Sequence, residues 1–144
     1  MKNILFSIAI LVSISFSAFS QEEINTNKDN KDLPEIFFEK TTHDYGTVKY
    51  DGDGTCEFTF KNTGKEPLIL TQVKASCGCT TPTWPKEPIK TGEKGTIVVK
   101  YNTKISGAFT KSIRVYSNAK TALVTLNIKG SVESSPAEAA RKVE

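Results

Sequence analysis

The sequence is poor in the residues from which hydrolase sites are built. It contains a single histidine, His43, among 144 residues, and it has no Gly-x-Ser-x-Gly motif. A serine hydrolase needs a nucleophile, a histidine base and an acidic partner in a fixed arrangement, and the sequence shows no such set. We therefore predict that the chain is not an enzyme, has no catalytic residues and binds no cofactor.

Helical periodicity and clustered charge are also missing. No stretch places apolar residues at the spacing of three and four that an amphipathic helix requires. The 19 basic residues are interspersed with 16 acidic ones, which gives a formal net charge of only +3. Binding to nucleic acid normally needs a basic cluster, so we expect no nucleic-acid partner.

The first 20 residues have the pattern of a secretory signal peptide. Lys2 is their only charged residue, residues 4–19 are almost wholly apolar or hydroxylated, and the small residues Ala18 and Ser20 stand at the end. An uncleaved membrane anchor is the alternative, but the apolar stretch is shorter than the roughly 20 residues of a bilayer span. We expect cleavage after Ser20, and a periplasmic or secreted protein with no membrane span.

Composition divides the rest of the chain into three parts. Residues 21–33 are polar and lack aromatic side chains, so we predict a disordered tether. Residues 34–132 contain all the strand-like segments and form one predicted domain. Residues 133–144 contain Pro136 and have no apolar face, which predicts a flexible tail.

Apolar and polar residues alternate in several segments of the predicted domain. Cys56, Phe58 and Phe60, for example, are separated by polar neighbours, and a period of two directs one set of side chains inward. Turn residues divide these segments about every eight to twelve residues. We predict an all-β fold, an immunoglobulin-like β-sandwich of about seven strands, in preference to a closed barrel.

Three cysteines are an odd number, so at least one is free, bound to a ligand or joined to another molecule. The alternating segment around Cys56 predicts a buried core position. If that strand forms a hairpin with residues 67–74, Cys77 lies about 13 Å away, and if the two strands belong to opposite sheets, the layers are still ~10 Å apart. A disulfide tolerates about 7 Å between Cα atoms, so pairing of Cys56 with Cys77 or Cys79 is disfavoured.

The Cys77-Gly78-Cys79 motif is the main candidate for chemistry. Gly78 permits the bend that a disulfide between its neighbours requires, and so small a ring is strained and easily reduced, which suits a redox role. Lys74 is the only cation nearby in sequence that could activate a thiol. A structural bond is an equal alternative, although so small a loop gains little chain entropy. The two thiolates could also bind copper(I) or zinc, with His43 as a further ligand.

Residues 80–91 contain three prolines and the only tryptophan, Trp84. Proline fixes φ and removes a hydrogen-bond donor, so we predict a stiff, irregular excursion beside the two cysteines. Trp84 either caps the end of the core, which is usual for a large aromatic residue beside prolines, or is exposed for a partner.

Several motifs, in the same order, resemble a bacterial family, number 1573 of the domains of unknown function. They are His43-Asp44-Tyr45-Gly46, Phe58-x-Phe60-x-Asn62-x-Gly64, Ser76-Cys77-Gly78-Cys79-Thr80, and Gly107-x-Phe109 before Ser117-Asn118-Ala119. The resemblance covers about residues 36–132 and implies an immunoglobulin-like fold similar to the modules of hydin-type ciliary proteins. It also implies that Cys77, Gly78 and Cys79 are motif positions and that Cys56 is not, and it implies no activity.

These patterns together predict an exported binding or scaffold module of the cell envelope. Its expected partner is a protein, bound through edge strands and Trp84, because strand edges and exposed aromatic residues favour association. The alternative is a thiol redox or soft-metal protein that uses Cys77 and Cys79. No pattern predicts the oligomeric state.

Overall fold

The structure is a computed structural model that describes residues 32–141. The signal peptide predicted at 1–20 and most of the tether predicted at 21–33 lie outside the described residues, as does the end of the predicted tail, residues 142–144. Between residues 32 and 141, no helix has the length and apolar character needed to cross a bilayer.

Eight strands form two four-stranded sheets that pack face to face. In chain order they are β1 (Ile36–Phe38), β2 (Thr42–Val48), β3 (Thr55–Asn62), β4 (Leu70–Ala75), β5 (Thr80–Thr83), β6 (Lys94–Tyr101), β7 (Gly107–Ser117) and β8 (Leu123–Val132). Sheet A has the order β1-β3-β6-β5, and sheet B has the order β2-β8-β7-β4. Neighbouring strands are antiparallel except β2 and β8, which are parallel. The predicted all-β, immunoglobulin-like sandwich is confirmed.

The sandwich has eight strands, where the sequence pattern indicated about seven. Its first part is divided between the sheets: β1 pairs with β3 in sheet A, and after residues 39–41 the chain enters sheet B as β2. The prediction of an irregular excursion over residues 80–91 is wrong at its start, because this segment begins with β5. Pro82 is compatible with β5 because this edge strand pairs with a neighbour on one side only.

The core lies between the sheets and is built by alternating residues of the central strands. Phe58 and Phe60 of β3 are fully buried, whereas Glu57 and Lys61 are exposed. The period of two in the sequence therefore corresponds to the two faces of the strand. The inward residues of the other central strands include Ile97, Val99, Ile113, Val115, Leu126 and Ile128, all of them buried.

The connection from β3 to β4 crosses from sheet A to sheet B, so these two strands do not form a hairpin. Asn62, which is fully buried, organises the crossing. Its amide nitrogen donates to the carbonyl oxygens of Glu66 at 2.8 Å and Ile89 at 3.0 Å, and its amide oxygen accepts the Gly64 N–H at 3.0 Å. Both polar atoms of this buried side chain thus have partners, as buried amides require.

After β8 the chain forms a short helix, α1 (Pro136–Arg141). Ser135 and Glu138 form a capping box at its start: the Ser135 N–H donates to the Glu138 carboxylate at 3.0 Å, and the Glu138 N–H donates to the Ser135 hydroxyl at 3.3 Å. No residue of α1 is buried, so the helix adds no side chain to the core.

Candidate functional site

A disulfide bond joins Cys77 and Cys79, whose Cα atoms are 5.3 Å apart. The bond lies in residues 76–79, which connect β4 at the edge of sheet B to β5 at the edge of sheet A. Both cysteines are half-buried, whereas Gly78 is exposed, with open space where a Cβ atom would lie. The two cysteines therefore form a small surface loop where the chain passes between the sheets.

The hydroxyl of Thr80 contacts both sulfur atoms of the disulfide. Its Oγ1 lies 3.8 Å from each Sγ, and only 4% of Thr80 is exposed. Thr80 belongs to β5 and is held by its pairing with Tyr101 of β6. If the bond were reduced, this hydroxyl could donate to a thiolate, and such a hydrogen bond favours the charged form of the sulfur.

A cavity of about 290 Å³ opens beside the disulfide. It is lined by Gly78, Cys79, Thr81, Lys100, Tyr101 and Asn102. Lys100 is present because it pairs with Thr81 across β5 and β6, and an ammonium group near a cysteine stabilises the thiolate. Lys74 is the only cation near the two cysteines in sequence, and Lys100, which was not predicted, becomes their neighbour only through the strand register.

Cys56 is separated from the disulfide and belongs to the core. It is 5% exposed and pairs with Val99, so β6 lies between Cys56 and β5. Burial raises the pKa of the Cys56 thiol, which keeps this group protonated and unreactive. Cys56 has a free thiol and the buried position that the alternating pattern predicts.

An aromatic cluster that was not predicted from the sequence lies near the disulfide. The Tyr45 hydroxyl donates to the Gly54 carbonyl at 2.7 Å, and burial raises the pKa of Tyr45. Gly54 has no room for a side chain, because a Cβ atom would overlap the Tyr101 carbonyl. The rings of Tyr101 and Phe109 stack with their centres 3.8 Å apart. Tyr101, which lines the cavity beside Cys79, is thereby held in the core.

His43 lies on the edge of sheet B opposite to the strand that leads to the disulfide. It is the second residue of β2, and β8 and β7 separate β2 from β4. Three strand spacings amount to about 14 Å. The His43 ring packs edge-on against Tyr45 with ring centres 4.5 Å apart, and burial lowers the pKa of His43.

The structure therefore does not bring His43 to the two cysteines as a metal site would require. Over residues 32–141, no three His, Cys, Asp or Glu side chains are grouped so that they could hold a metal ion.

Trp84 lies at the boundary between core and surface. Its ring packs against the core and remains partly exposed. The Lys86 ammonium lies 3.0 Å from the ring centre, which is a cation–π contact. The indole Nε1 is buried and, in the described part of the chain, has no hydrogen-bond partner. Trp84 thus packs against the core, as one alternative predicted, and also keeps part of its surface accessible.

Among the four edge strands, β4 is the least protected against pairing with another chain. β1 has three residues, β5 contains Pro82, and β2 has a register shift and Gly46 at a φ of 61°. Short length, proline and irregular register all oppose further pairing. β4 has six residues and contains neither proline nor glycine, and its own register shift lies at its start, between Leu70 and Gln72, so residues 72–75 pair regularly with β7.

The fold and the position of the disulfide define an immunoglobulin-like sandwich whose two sheets are linked by a cystine loop at one side. Residues 36–132 match the family described as protein of unknown function, DUF1573. The match runs from the first residue of β1 to the last residue of β8. This chain belongs to that family.

Solved structures share the fold at low sequence identity. A protein of unknown function from Porphyromonas gingivalis W83 is 16% identical, with a TM-score of 0.64, over 71% of this chain and 48% of that chain. PapD-like domain 7 of human CEP192 is 8% identical, with a TM-score of 0.59, over 92% of this chain and 100% of that chain. The YadV chaperone is 17% identical, with a TM-score of 0.51, over 75% of this chain and 58% of that chain.

These likenesses show the fold alone, because a fold does not determine a function. The match spans about half the length of the Porphyromonas gingivalis protein. Similar structures also include a secreted serine protease, so the fold by itself does not separate binding modules from enzymes. A search among curated protein sequences gives no match.

Proposed function

We propose that the protein is an exported binding or scaffold module of the cell envelope, without catalytic activity of its own. It contacts a protein partner through β4 and the adjoining residues 77–84. The edge of β4, which pairs regularly with β7 over residues 72–75 and has no proline or glycine, is the observation that carries this proposal. Every second residue of an antiparallel edge strand directs its N–H and C=O away from the sheet, and these groups can pair with an added strand.

The hydrogen bonds to β7 indicate which residues of β4 face outwards. The Ser76 N–H, just after β4, donates inwards to the Ser112 carbonyl of β7 at 2.9 Å. Because the direction alternates along the strand, the backbone groups of Ala75 and Val73 are directed away from β7. An extended segment of a partner could form main-chain hydrogen bonds to these groups.

Trp84 supports a contact surface on the same side of the sandwich. It follows β5, and residues 76–79 join β5 to β4. Partly exposed aromatic residues with fixed positions are enriched in protein interfaces. The core packing of the Trp84 ring and its contact with Lys86 fix its position.

The comparisons agree with a protein partner. YadV is named a chaperone, and the CEP192 domain is described as PapD-like. Sandwiches of this class therefore include proteins that act on other proteins, and we extend that role to this chain. His43, the only histidine of the sequence, packs against Tyr45 at a distance from the cystine loop, so we assign it no catalytic role.

Export is proposed on the sequence of residues 1–20 alone. We expect the native protein in the periplasm or the medium, with Gln21 as its first residue. Cell fractionation followed by N-terminal sequencing checks both points. Cytosolic protein that retains Met1 would contradict the proposal.

Photocrosslinking in the native cell tests the edge strand. A photoreactive amino acid replaces Gln72, which is exposed on β4, and in the matched control it replaces Glu57, exposed on the central strand β3. We expect one protein to be captured at Gln72 but not at Glu57, and to bind the purified chain in a titration. Equal capture at both positions, capture at neither, or a captured protein that does not bind after purification would contradict the proposal.

Thiol–disulfide exchange is a second candidate function, favoured by the disulfide with Thr80 and Lys100 beside it. A thiolate of a partner dithiol would attack one sulfur of the bond, and the other sulfur would leave as a thiolate. The second thiol of the partner would then resolve the mixed disulfide. The partner is oxidised to a disulfide, and Cys77 and Cys79 are reduced to a dithiol.

Exchange with dithiothreitol, followed by mass spectrometry after alkylation, tests this candidate. We expect Cys77→Ser and Cys79→Ser to abolish exchange, Lys100→Gln to slow it, and Cys56→Ser to affect mainly stability. Similar behaviour of the three serine variants, or an unchanged rate in Lys100→Gln, would contradict it.

A further inference from the structure

Lys74 and Arg114 lie directly opposite each other on the outer face of sheet B. They are register partners on β4 and β7, and both are exposed. Like charges in this arrangement destabilise a sheet. Lys129 on β8 has Asp44 as an ion-pair partner at 3.2 Å. By contrast, no carboxylate in the described range forms an ion pair with Lys74 or Arg114.

The two cations border a cavity of about 220 Å³. It is lined by Lys74, Ala75, Ser76, Ser112 and Arg114. The Ser76 hydroxyl oxygen accepts the Ser112 N–H at 3.2 Å, which leaves the hydroxyl hydrogen to be donated elsewhere. Ammonium and guanidinium groups are donors only, so this cavity fits an anionic acceptor. A carboxylate meets this requirement, because a guanidinium can bind both carboxylate oxygens.

The cavity lies between β4 and β7, next to the free edge of β4, where an added strand would lie. Alternate side chains of such a strand cover the outer face of sheet B, so one of them lies beside Lys74. In the adjacent row, Gln72 is opposite Tyr116, and Tyr116 is opposite Leu123, which is 44% exposed. An acidic side chain of the added strand would therefore fit beside the two cations, and a less polar side chain would fit in the next row.

We propose that Lys74, Arg114 and Ser76 form a carboxylate-binding site for the partner of β4. The partner is an extended protein segment with an aspartate or glutamate in register with Lys74. This inference rests on the proposed function and specifies the chemistry of the strand that β4 binds. The bound carboxylate neutralises the repulsion between Lys74 and Arg114, so their juxtaposition is favourable only in the complex.

Three short, soluble peptides test the proposal. They have alternating valine and threonine residues and differ only at the central position, which is glutamate, glutamine or lysine. Each is titrated into the isotope-labelled protein while amide chemical shifts are recorded. We expect the glutamate peptide to bind about three- to tenfold more tightly than the glutamine peptide, and the lysine peptide to bind least. The amide signals of β4 should shift, and those of β3 should not.

Substitutions then test the residues. Lys74→Gln and Arg114→Gln should each reduce the affinity for the glutamate peptide about three- to tenfold and leave the glutamine peptide unaffected. Lys61→Gln removes the same charge from the exposed face of sheet A and is the matched control, with no change expected. Equal losses in all three variants would mean general attraction between net charges and would overturn the site.

Two further outcomes separate this inference from the proposed function. Equal affinity of the glutamate and glutamine peptides at β4 would overturn the carboxylate site and leave edge binding standing. Binding of inorganic phosphate without any preference among the peptides would assign the cavity to a free anion and also overturn it. If no peptide shifts the β4 signals, the inference fails, while crosslinking at Gln72 still decides the proposed function.

Discussion

The two sides of the sandwich protect their sheet edges in different ways. On one side, β1 leaves sheet A after three residues, and β2 enters sheet B with an irregular register at Gly46. On the other side, β4 and β5 are joined by the cystine loop of residues 76–79, and β4, which has no proline or glycine, pairs regularly with β7 over residues 72–75 after a register shift between Leu70 and Gln72. The first side resists pairing with another chain, whereas the second is covalently fixed near one end and open along β4. We therefore expect the first side to contribute more to stability and the proposed partner to bind on the second.

The largest expected effect is a loss of stability on the β1 side. Phe38 is 8% exposed, and its ring centre lies 5.5 Å from that of Phe60. Phe38→Ala should lower the free energy of unfolding by about 3–5 kcal/mol, because it removes a buried ring and leaves a cavity. Urea unfolding measures this change. Phe37→Ala is the control, since Phe37 is 57% exposed on the same strand and its loss should cost no more than about 0.5 kcal/mol.

Opening the cystine loop should affect stability less than Phe38→Ala does. The double variant Cys77→Ser with Cys79→Ser should lose at most about 2 kcal/mol, because the disulfide closes a very small loop. Urea unfolding compares the two variants, and the crosslinking yield at Gln72 measures the effect on binding. A loss of stability as large as that of Phe38→Ala would show that the cystine loop holds the fold together, which would remove the contrast between the two sides.

The two kinds of cysteine should also respond differently to alkaline pH. The disulfide cysteines do not titrate, whereas burial raises the pKa of Cys56 above its ordinary 9.0 and that of Tyr45 above its ordinary 10.0. The unfolded chain loses these protons at a lower pH than the folded protein does. Their contribution to stability is therefore complete below pH 9 and is lost as pH rises through the folded-state pKa values.

Urea unfolding at a series of alkaline pH values checks this sign. The free energy of unfolding should fall as pH rises above 9, and the fall should be smaller in Cys56→Ala because the buried thiol is gone. An identical pH dependence in Cys56→Ala and the unaltered protein would show that Cys56 does not contribute.

Local alternation predicted the inward faces of the central strands, including Cys56, Phe58 and Phe60, because a period of two needs only neighbouring residues. β5 was missed because proline opposes strand formation except at an edge, and the sequence does not reveal which strand is an edge. The hairpin alternative for β3 and β4 failed because the chain crosses to the other sheet after β3, where buried Asn62 binds the carbonyl oxygens of Glu66 in the same connection and of Ile89 in a distant segment.

Prediction of the candidate sites required knowledge of the long-range strand register even more than prediction of the fold did. The cystine motif was visible in sequence, but Lys100 joins it only through the pairing of β5 with β6. The opposition of Lys74 and Arg114 likewise follows from the pairing of β4 with β7, which are not consecutive in sequence. Local patterns predict which face of a strand is buried. To predict a site assembled from several strands, one must also know the order and register of those strands.

The smallest expected effect concerns Trp84 on the open side. The Lys86 ammonium lies 3.0 Å from the ring centre, and Lys86→Met keeps the apolar stem while removing the charge. We expect a loss of about 0.5–1 kcal/mol in urea unfolding and a change in the fluorescence of this single tryptophan. Lys90→Met removes the same charge from an exposed residue of the same segment and should change neither quantity. Equal changes in both variants would show that the ammonium does not fix the ring, and Trp84 would then owe its position to core packing alone.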